Sequence, residues 1–361
     1  MSLPTRLLHW WGRAAAGNGV LGFVDQLLRG IGQVMLQNSP LTGLLFLIGL
    51  FVGGWQFGVY GLLGTASSTL AARWLGVPAS AIQAGLYGYN GTLVGVALVF
   101  YLSDNVMLTA YVVLGGIVAT VAAAAIGNLL STWRIPALTG PFVVTTWFFA
   151  LGVFGLGELG ATANSGPPSL PAIASGGRAM LDTGHLVEGF FKGVSEVFFQ
   201  NSVLVGAIFL LGLLVSSRID CAMAAIGSVV GLAAGWALGA DANTLALGLL
   251  GYNAVLTLIA LAGLFYVLDG SSFVVAVVAG ATSVIVTIAL SAAVAPYGGH
   301  VFTAPFVITT WAFIAAKPFL HRLQAVPPAD ATTPEGNLNL YRKTGHWWER
   351  DTGSSSNKEG Q

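Results

Sequence analysis

The stretch that decides the fold is GIGQVMLQNS at Gly30–Ser39, because it returns as GVSEVFFQNS at Gly193–Ser202. The two runs begin 163 positions apart, and ten of the twenty residues counted from each start are identical. Self-similarity at a fixed spacing is the sequence signature of an internal repeat. The chain is therefore predicted to contain two homologous halves.

Two further blocks repeat in nearly the same register. The sequence GYN at Gly88–Asn90 returns at Gly251–Asn253 after 163 positions, and TGPF at Thr139–Phe142 returns as TAPF at Thr303–Phe306 after 164 positions. Three separate blocks with almost one spacing indicate a duplication rather than chance composition.

The composition indicates a membrane protein. Of 361 residues, 55% are hydrophobic and only 8% are charged, whereas a soluble domain carries about 25% charged residues. Most of such a chain has to lie in lipid, where helices satisfy their own backbone hydrogen bonds. The 49 glycines suit close helix packing. A net charge of zero gives no indication of nucleic-acid binding, and a single cysteine excludes an intrachain disulfide.

Long apolar runs between short polar breaks predict an all-α polytopic fold with ten membrane spans. The predicted spans are 41–60, 61–75, 79–101, 106–130 and 139–158 in the first half, and 202–216, 222–240, 243–268, 271–293 and 301–320 in the second. An odd number of spans per half makes the two halves insert in opposite orientations. The expected architecture is thus two inverted repeats, which place a substrate path on the axis between them.

The basic residues predict the orientation. With the N-terminus inside, most of them fall on the inner side of the membrane, as the positive-inside rule requires. These inner residues are Arg6, Arg13, Arg73, Arg134, Arg218, Lys317 and Arg322. Both termini are therefore expected to be cytoplasmic, and the compact chain suits a bacterial inner membrane.

The chain is expected to have five regions. They are an interfacial N-terminal segment at 1–24 with Trp10 and Trp11, a first repeat at 25–160, a linker rich in Gly, Pro and Ser at 161–185, a second repeat at 186–323 and a polar tail at 324–361. The tail is expected to be solvated and weakly ordered.

The segment before the first span of each half is the first candidate site. Each segment holds an i, i+4, i+8 series on one helix face: Asp25, Arg29 and Gln33, and Glu188, Lys192 and Glu196. The apolar stretches that follow are too short to cross a bilayer. Each segment is interpreted as a tilted or re-entrant half-helix that lines a wet path. The alternative is an interfacial helix outside any pore.

The second candidate site lies around the repeated Gly-Tyr-Asn block. An asparagine inside a membrane helix needs a partner, so Asn90 and Asn253 are expected to brace the bundle. The side chains expected to form the walls of a narrow slot are Tyr89, Leu93, Tyr252 and Leu256.

The third candidate site is the repeated Thr-x-Pro-Phe block. A proline inside a helix frees the carbonyl four residues before it, which would be that of Ala137 or Val301. Together with the hydroxyls of Thr139 and Thr303, such carbonyls would form a column of acceptor oxygens that is useful in a pore. The alternative is an ordinary proline kink.

A small neutral polar molecule suits such a passage better than an ion, which needs its hydration shell replaced or rings of charge. Urea is flat, its N–H groups can donate to successive oxygens, and its faces tolerate apolar walls. The sequence contains no P-loop and no zinc-protease motif. A passive urea channel without enzymatic activity, metal or cofactor is therefore the leading hypothesis.

At these motifs the sequence resembles the urea transporter family over about residues 25–320. The motifs that carry the resemblance are GIGQ at 30–33, GVSE at 193–196, GYNGTL at 88–93, GYN at 251–253, PALTGPF at 136–142 and FTAPF at 302–306. The resemblance implies a homotrimer in the lipid bilayer with one pore per protomer. It also implies five transmembrane helices and a tilted half-helix in each half.

The resemblance further implies roles for individual residues. Thr139 and Thr303 would supply the ladder hydroxyls at the mid-pore constriction, and Gln33 and Glu196 would bind urea amide groups at two outer sites. The implied slot walls are Tyr89, Leu93, Tyr252, Leu256, Leu36 and Val197. Two alternatives remain open at this point: a channel for water, ammonia or related small amides, and an ion-coupled secondary transporter.

Overall fold

A computed structural model describes residues 11–166, 168–171, 177–327 and 332–344. Within these ranges the regular structure is helical, apart from two isolated bridges between Leu102 and Ala161 and between Tyr266 and Ala325. The all-α class predicted from the sequence is confirmed.

The helices follow in two series, with a short helix α1 at 11–17 before the first. The first series is α2 (Gly19–Gln33), α3 (Pro40–Gly53), α4 (Trp55–Trp74), α5 (Ala79–Gln83), α6 (Gly88–Tyr101), α7 (Val106–Ser131) and α8 (Gly140–Gly152). The second is α9 (Thr183–Ser195), α10 (Val203–Ser216), α11 (Arg218–Ala237), α12 (Ala242–Ala246), α13 (Tyr252–Ile259), α14 (Gly270–Val294) and α15 (Ala304–Ala315), and α16 (Pro334–Thr344) follows. Each helix from α9 to α15 begins 163 or 164 residues after its counterpart.

Several predicted spans are divided differently in the structure. The break between the first two falls at Gly54, not near residue 60. The spans predicted at 79–101 and 243–268 are each interrupted at a glycine with positive φ, Gly85 (74°) and Gly248 (72°). A glycine in the left-handed conformation can end a helix without strain. The helix therefore stops at this glycine although the residues on both sides of it are apolar.

The number of membrane spans stays a prediction, because helix length alone does not establish it. Among the described residues, three helices are long and apolar enough to cross a membrane: Val106–Ser131, Arg218–Ala237 and Gly270–Tyr297. A fourth candidate is the pair Thr183–Phe198 and Val203–Ser216, which bend by 71° at their junction. The remaining apolar helices are shorter than a bilayer requires.

Sharp turns follow the helices that were predicted as half-helices. Leu36 (φ 64°) and Phe199 (φ 58°) both adopt the left-handed conformation, 163 positions apart. Ser39 and Ser202 then cap the next helix with their hydroxyls. On these segments the residues at i and i+4 form ion pairs, between Asp25 and Arg29 at 2.7 Å and between Glu188 and Lys192 at 2.8 Å.

One hydrophobic core joins the two series of helices. Phe46 of α3 lies edge-on against Phe198 and Phe209 from the second series, with ring centroids 5.5 and 5.1 Å apart. The Thr42 hydroxyl donates to the Gly212 carbonyl at 2.9 Å. The helices α3 and α10 therefore pack against each other across the two halves, in addition to their contacts within each half.

The expectation of a weakly ordered tail is wrong for residues 332–344. These residues form α16 and its cap, and Asn337 is completely buried. The tail is ordered because Val267 and Val326 form a small apolar cluster with the partly buried Leu338. Residues 345–361 and the N-terminal positions 1–10, with Arg6 and Trp10, lie outside the described residues.

Candidate functional site

Two equivalent threonines meet in the interior. The Oγ1 atoms of Thr139 and Thr303 lie 2.6 Å apart, and the residues are 3% and 1% exposed. Each is the N-cap residue of its helix, α8 or α15. The structure therefore brings together two predicted site residues that are 164 positions apart.

A strained residue precedes each of these threonines. Leu138 (φ 51°) and Phe302 (φ 49°) occupy the left-handed region, which is uncommon for residues other than glycine. Such conformations persist only where the surroundings hold them. Here Tyr89 Oη donates to the Leu138 carbonyl at 2.6 Å, and Tyr252 Oη donates to the Phe302 carbonyl at 2.7 Å.

The prediction of carbonyls freed by a proline kink is wrong. Both repeated prolines lie in the first turn of their helix, where the missing N–H is no loss. The carbonyl of Ala137 accepts from the Gly140 N–H at 3.1 Å, and that of Val301 accepts from the Ala304 N–H at 3.0 Å. The oxygens at these two positions therefore already have partners within the chain.

Two tryptophans connect the halves beside the threonines. Trp147 Nε1 donates to the His300 carbonyl at 2.7 Å, and Trp311 Nε1 donates to the Pro136 carbonyl at 2.8 Å. Each indole thus holds the segment before the threonine of the other half. A carbonyl oxygen has two lone pairs, so these oxygens can accept one further hydrogen bond.

The asparagines brace the same region, as expected. Asn90 Oδ1 accepts from the Phe142 N–H at 3.0 Å, and Asn253 Oδ1 accepts from the Phe306 N–H at 3.1 Å. Both asparagines are fully buried. They satisfy a free N–H in the first turn of α8 and α15, which fixes where each helix begins.

A cavity of about 910 Å³ adjoins this crossing point through Phe302, the neighbour of Thr303. Its walls combine aliphatic and aromatic side chains, and the rings of Tyr101 and His300 stack with centroids 4.1 Å apart. Glu196, 9% exposed, is the acidic side chain in the lining. Further residues of the lining are Phe100, Asn164, Phe199, Tyr252 and Thr287.

The predicted slot residues divide into two groups. Tyr252 lines the cavity, and Tyr89 and Leu36 are partly buried. Leu93 and Leu256 are completely buried, and Val197 is 1% exposed; these three side chains belong to the hydrophobic core. Gln33 is partly buried, and its Nε2 donates to the Ala84 carbonyl at 2.9 Å.

Sequence reasoning missed Phe199. It lies 163 positions after Leu36 and shares its left-handed backbone, and it lines the cavity. Val197, which was chosen instead, is the counterpart of Val34. The fixed spacing of the repeat was the signal that could have identified Phe199. Tyr101 and His300 lie outside the repeated motifs, so no comparable signal marked them.

Metal ligands are not grouped at this site. Within the four described ranges, no three His, Cys, Asp or Glu side chains are placed to hold a metal ion. The site offers hydroxyls, carbonyls, one carboxylate and aromatic faces. Such groups can bind and release a small polar molecule without covalent chemistry.

The apolar helices and the buried polar crossing point define a transmembrane transport protein. A family model described as urea transporter matches residues 24–318. The chain is 32% identical to Urea transporter 1 of Ovis aries over 327 residues, covering 89% of this chain and 84% of that protein. It is 33% identical to Urea transporter 1 of Mus musculus over 262 residues, covering 71% and 67%. The chain belongs to the urea transporter family, and this membership supports passive urea transport.

Proposed function

We propose that the protein is a passive channel that carries urea between two inverted halves, through the contact between Thr139 and Thr303. The observation that carries the proposal is the 2.6 Å distance between their buried hydroxyls. Two copies of one motif that meet at one point are what a shared path with one wall from each half would require. The urea transporter family supplies the substrate.

Urea crosses this point by exchanging hydrogen bonds. The two threonine hydroxyls bond to each other when no substrate lies between them, and both can accept from urea N–H groups. The lost Thr–Thr bond is therefore replaced by bonds of similar strength, which keeps the barrier low. No ion gradient is needed for such an exchange.

The remaining predicted residues bind and orient urea on either side of the threonine pair. Gln33 and Glu196 bind the amide groups at the two outer sites, where an oxygen acceptor is enough. The flat faces of urea pass between slot walls made by Tyr89, Tyr252, Leu36 and Phe199. Leu93, Leu256 and Val197 set the width of the slot from behind, because they are packed in the core.

The proposed arrangement has five transmembrane helices and one tilted half-helix in each half. The constant spacing of the paired helices, 163 or 164 residues, supports a duplication. Five spans per half invert the second copy and leave both termini in the cytoplasm. We further propose a homotrimer in a bacterial inner membrane, in line with the resemblance to the family.

Stopped-flow measurements on proteoliposomes test this function. Vesicles with the protein are expected to equilibrate urea much faster than empty vesicles, and collapsing ion gradients is expected to leave this rate unchanged. Urea flux equal to that of empty vesicles would refute the proposal. Loss of flux after the gradients collapse would favour the ion-coupled alternative, and faster methylurea or water flux would favour the broader channel.

A further inference from the structure

The C-terminal helix α16 lies outside the range that matches the family model, yet it contacts a transmembrane element. Asn337 is completely buried, and its Nδ2 donates to the Gly263 carbonyl at 2.8 Å. Its Oδ1 accepts from the Thr332 N–H at 2.9 Å. The amide is thus satisfied on both sides, which indicates a specific docked position rather than a loose contact.

The helix α13 is broken where α16 docks. Ala262 and Gly263 have non-helical backbone angles, and Gly263 has a φ of 141°. A Cβ atom at Gly263 would lie 2.6 Å from Pro334 Cβ. The glycine therefore permits both the break and the close approach of α16.

A second contact ties α16 to another helix. Glu335 Oε1 accepts from the Ile219 N–H at 3.0 Å, in the first turn of α11. A carboxylate at a helix N-terminus satisfies a free N–H and interacts favourably with the helix dipole. The C-terminal helix consequently holds two helix ends together.

An equivalent arrangement exists at the cavity described above. Asn164 Nδ2 donates to the Phe100 carbonyl at 3.1 Å, and both residues line that cavity. The bridges of Leu102 with Ala161 and of Tyr266 with Ala325 show a spacing of 164 here, so the two asparagines bind carbonyls at neighbouring positions of equivalent helix ends. Asn164 and Asn337 are 173 positions apart, so the duplication does not account for the second amide.

A matched pair of backbone hydrogen bonds covers these helix ends. The Thr162 N–H donates to the Tyr101 carbonyl at 2.9 Å, and the Val326 N–H donates to the Phe265 carbonyl at 2.9 Å. Tyr101 and Phe265 are 164 positions apart, and Tyr101 lines the cavity. Each pore-side helix end is therefore covered by the chain that follows the last helix of its half.

We propose that α16 forms a wall of the second mouth of the urea path, and that Asn337 is the positioning residue that holds the helix end at Gly263. Through that end it sets the place of Phe265, the counterpart of Tyr101. The inference rests on the proposed path between inverted halves, because inversion puts equivalent helix ends at opposite mouths. The tail is then part of the transport machinery.

The first test is Asn337→Asp, which replaces the N–H donor by an oxygen facing the Gly263 carbonyl. Urea flux in proteoliposomes is expected to fall about fivefold or more, the effect of losing roughly one hydrogen bond. The control is Asn339→Asp on the same helix, because Asn339 is exposed. The urea flux of this variant should equal that of the wild type. Wild-type flux in the same experiment separates the two proposals: if the wild type carries no urea, the channel function itself is wrong.

The second test does not depend on how Asn337→Asp folds. Phe265→Cys and Tyr101→Cys are made in a Cys221→Ser background, and a membrane-impermeant maleimide is added to one side of oriented vesicles. The reagent is expected to block urea flux through the two variants from opposite sides. The proposal is overturned if both are blocked from the same side, if Phe265→Cys reacts without loss of flux, or if a folded Asn337→Asp transports like the wild type.

Discussion

At the residue scale, the proposed path depends on the oxygens that the protein leaves available. The carbonyls of Leu138 and Phe302 already accept tyrosine hydroxyls, and those of Pro136 and His300 accept indole N–H groups. The threonine hydroxyls bond only to each other in the described contacts. They are therefore the groups whose partner a passing amide can replace most easily.

Thr303→Val tests the crossing point, because it keeps the shape of the side chain and removes the hydroxyl. Urea loses one acceptor at the proposed crossing point, and we expect flux to fall about tenfold, the effect of roughly 1.4 kcal/mol on a barrier. Stopped-flow urea uptake measures the effect. Thr282→Val is the matched control, since Thr282 is half-buried on α14 and its hydroxyl bonds only within its own helix. Equal flux in both variants would show that the threonine pair is not the barrier.

Glu196→Gln separates an acceptor requirement from a charge requirement. An amide oxygen can still accept from urea, so flux is expected to stay within about twofold to threefold of wild type, less than one full hydrogen bond. Glu188→Gln is the control. This exposed side chain pairs with Lys192, with 2.8 Å between the charged atoms, and neither residue lines the cavity. Abolished transport in Glu196→Gln alone would mean that the negative charge is needed, which would revive ion coupling.

At the element scale, the helices are placed by glycines at close contacts. A Cβ atom at Gly64 of α4 would collide with the Gly91 carbonyl of α6, whose carbon would lie 2.9 Å away. The α6 backbone begins at Gly88 and carries Tyr89, which holds the strained Leu138. Packing between two membrane helices thus determines where a hydroxyl in the path is aimed.

Gly64→Ala is expected to destabilise the protein by about 1–3 kcal/mol, since the extra methyl overpacks this contact. Thermal unfolding in detergent measures the change. Gly127→Ala on α7 is the matched control, because a Cβ atom there meets no atom within 4 Å. It should be neutral or slightly stabilising, since alanine favours a helix over glycine. Similar unfolding temperatures for the two variants would contradict the argument.

At the scale of the whole molecule, the two halves are joined at several depths. The core aromatic rings join α3 to α10, and the threonine pair joins the starts of α8 and α15. Trp147 of the first half donates to a carbonyl of the second half, and Trp311 of the second half donates to a carbonyl of the first half. Each half therefore holds the other in the geometry that the proposed path requires.

The double variant Trp147→Phe and Trp311→Phe removes both crossing N–H groups and keeps the aromatic volume in part. We expect urea flux to fall and stability to decrease by about 1–3 kcal/mol, the net effect of two lost hydrogen bonds. Stopped-flow flux and thermal unfolding measure the two effects. Trp236→Phe is the control, because its indole donates to the Ala179 carbonyl in the linker and not to the first half, and the flux of this variant should match wild type. A double variant with normal flux would show that these bonds do not shape the path.

The sequence alone was sufficient for the helical membrane class, the duplication and the pairing of Thr139 with Thr303. These follow from apolar runs and from one fixed spacing, which are properties of neighbouring or equivalent positions. The same spacing could also have found Phe199. The number of complete spans stays a prediction, because helix length alone does not decide it.

Only the tertiary structure decided which oxygens are free, how the tail docks and what lines the cavity. Tyr89, Trp147 and Asn337 bind carbonyls that lie 49, 153 and 74 positions away along the chain. Such pairings depend on how helices pack against each other, so they cannot be predicted from the residues around each partner. The free carbonyls expected from the prolines were wrong for this reason: a proline's effect depends on where its helix begins, and that was set by Asn90 from another helix.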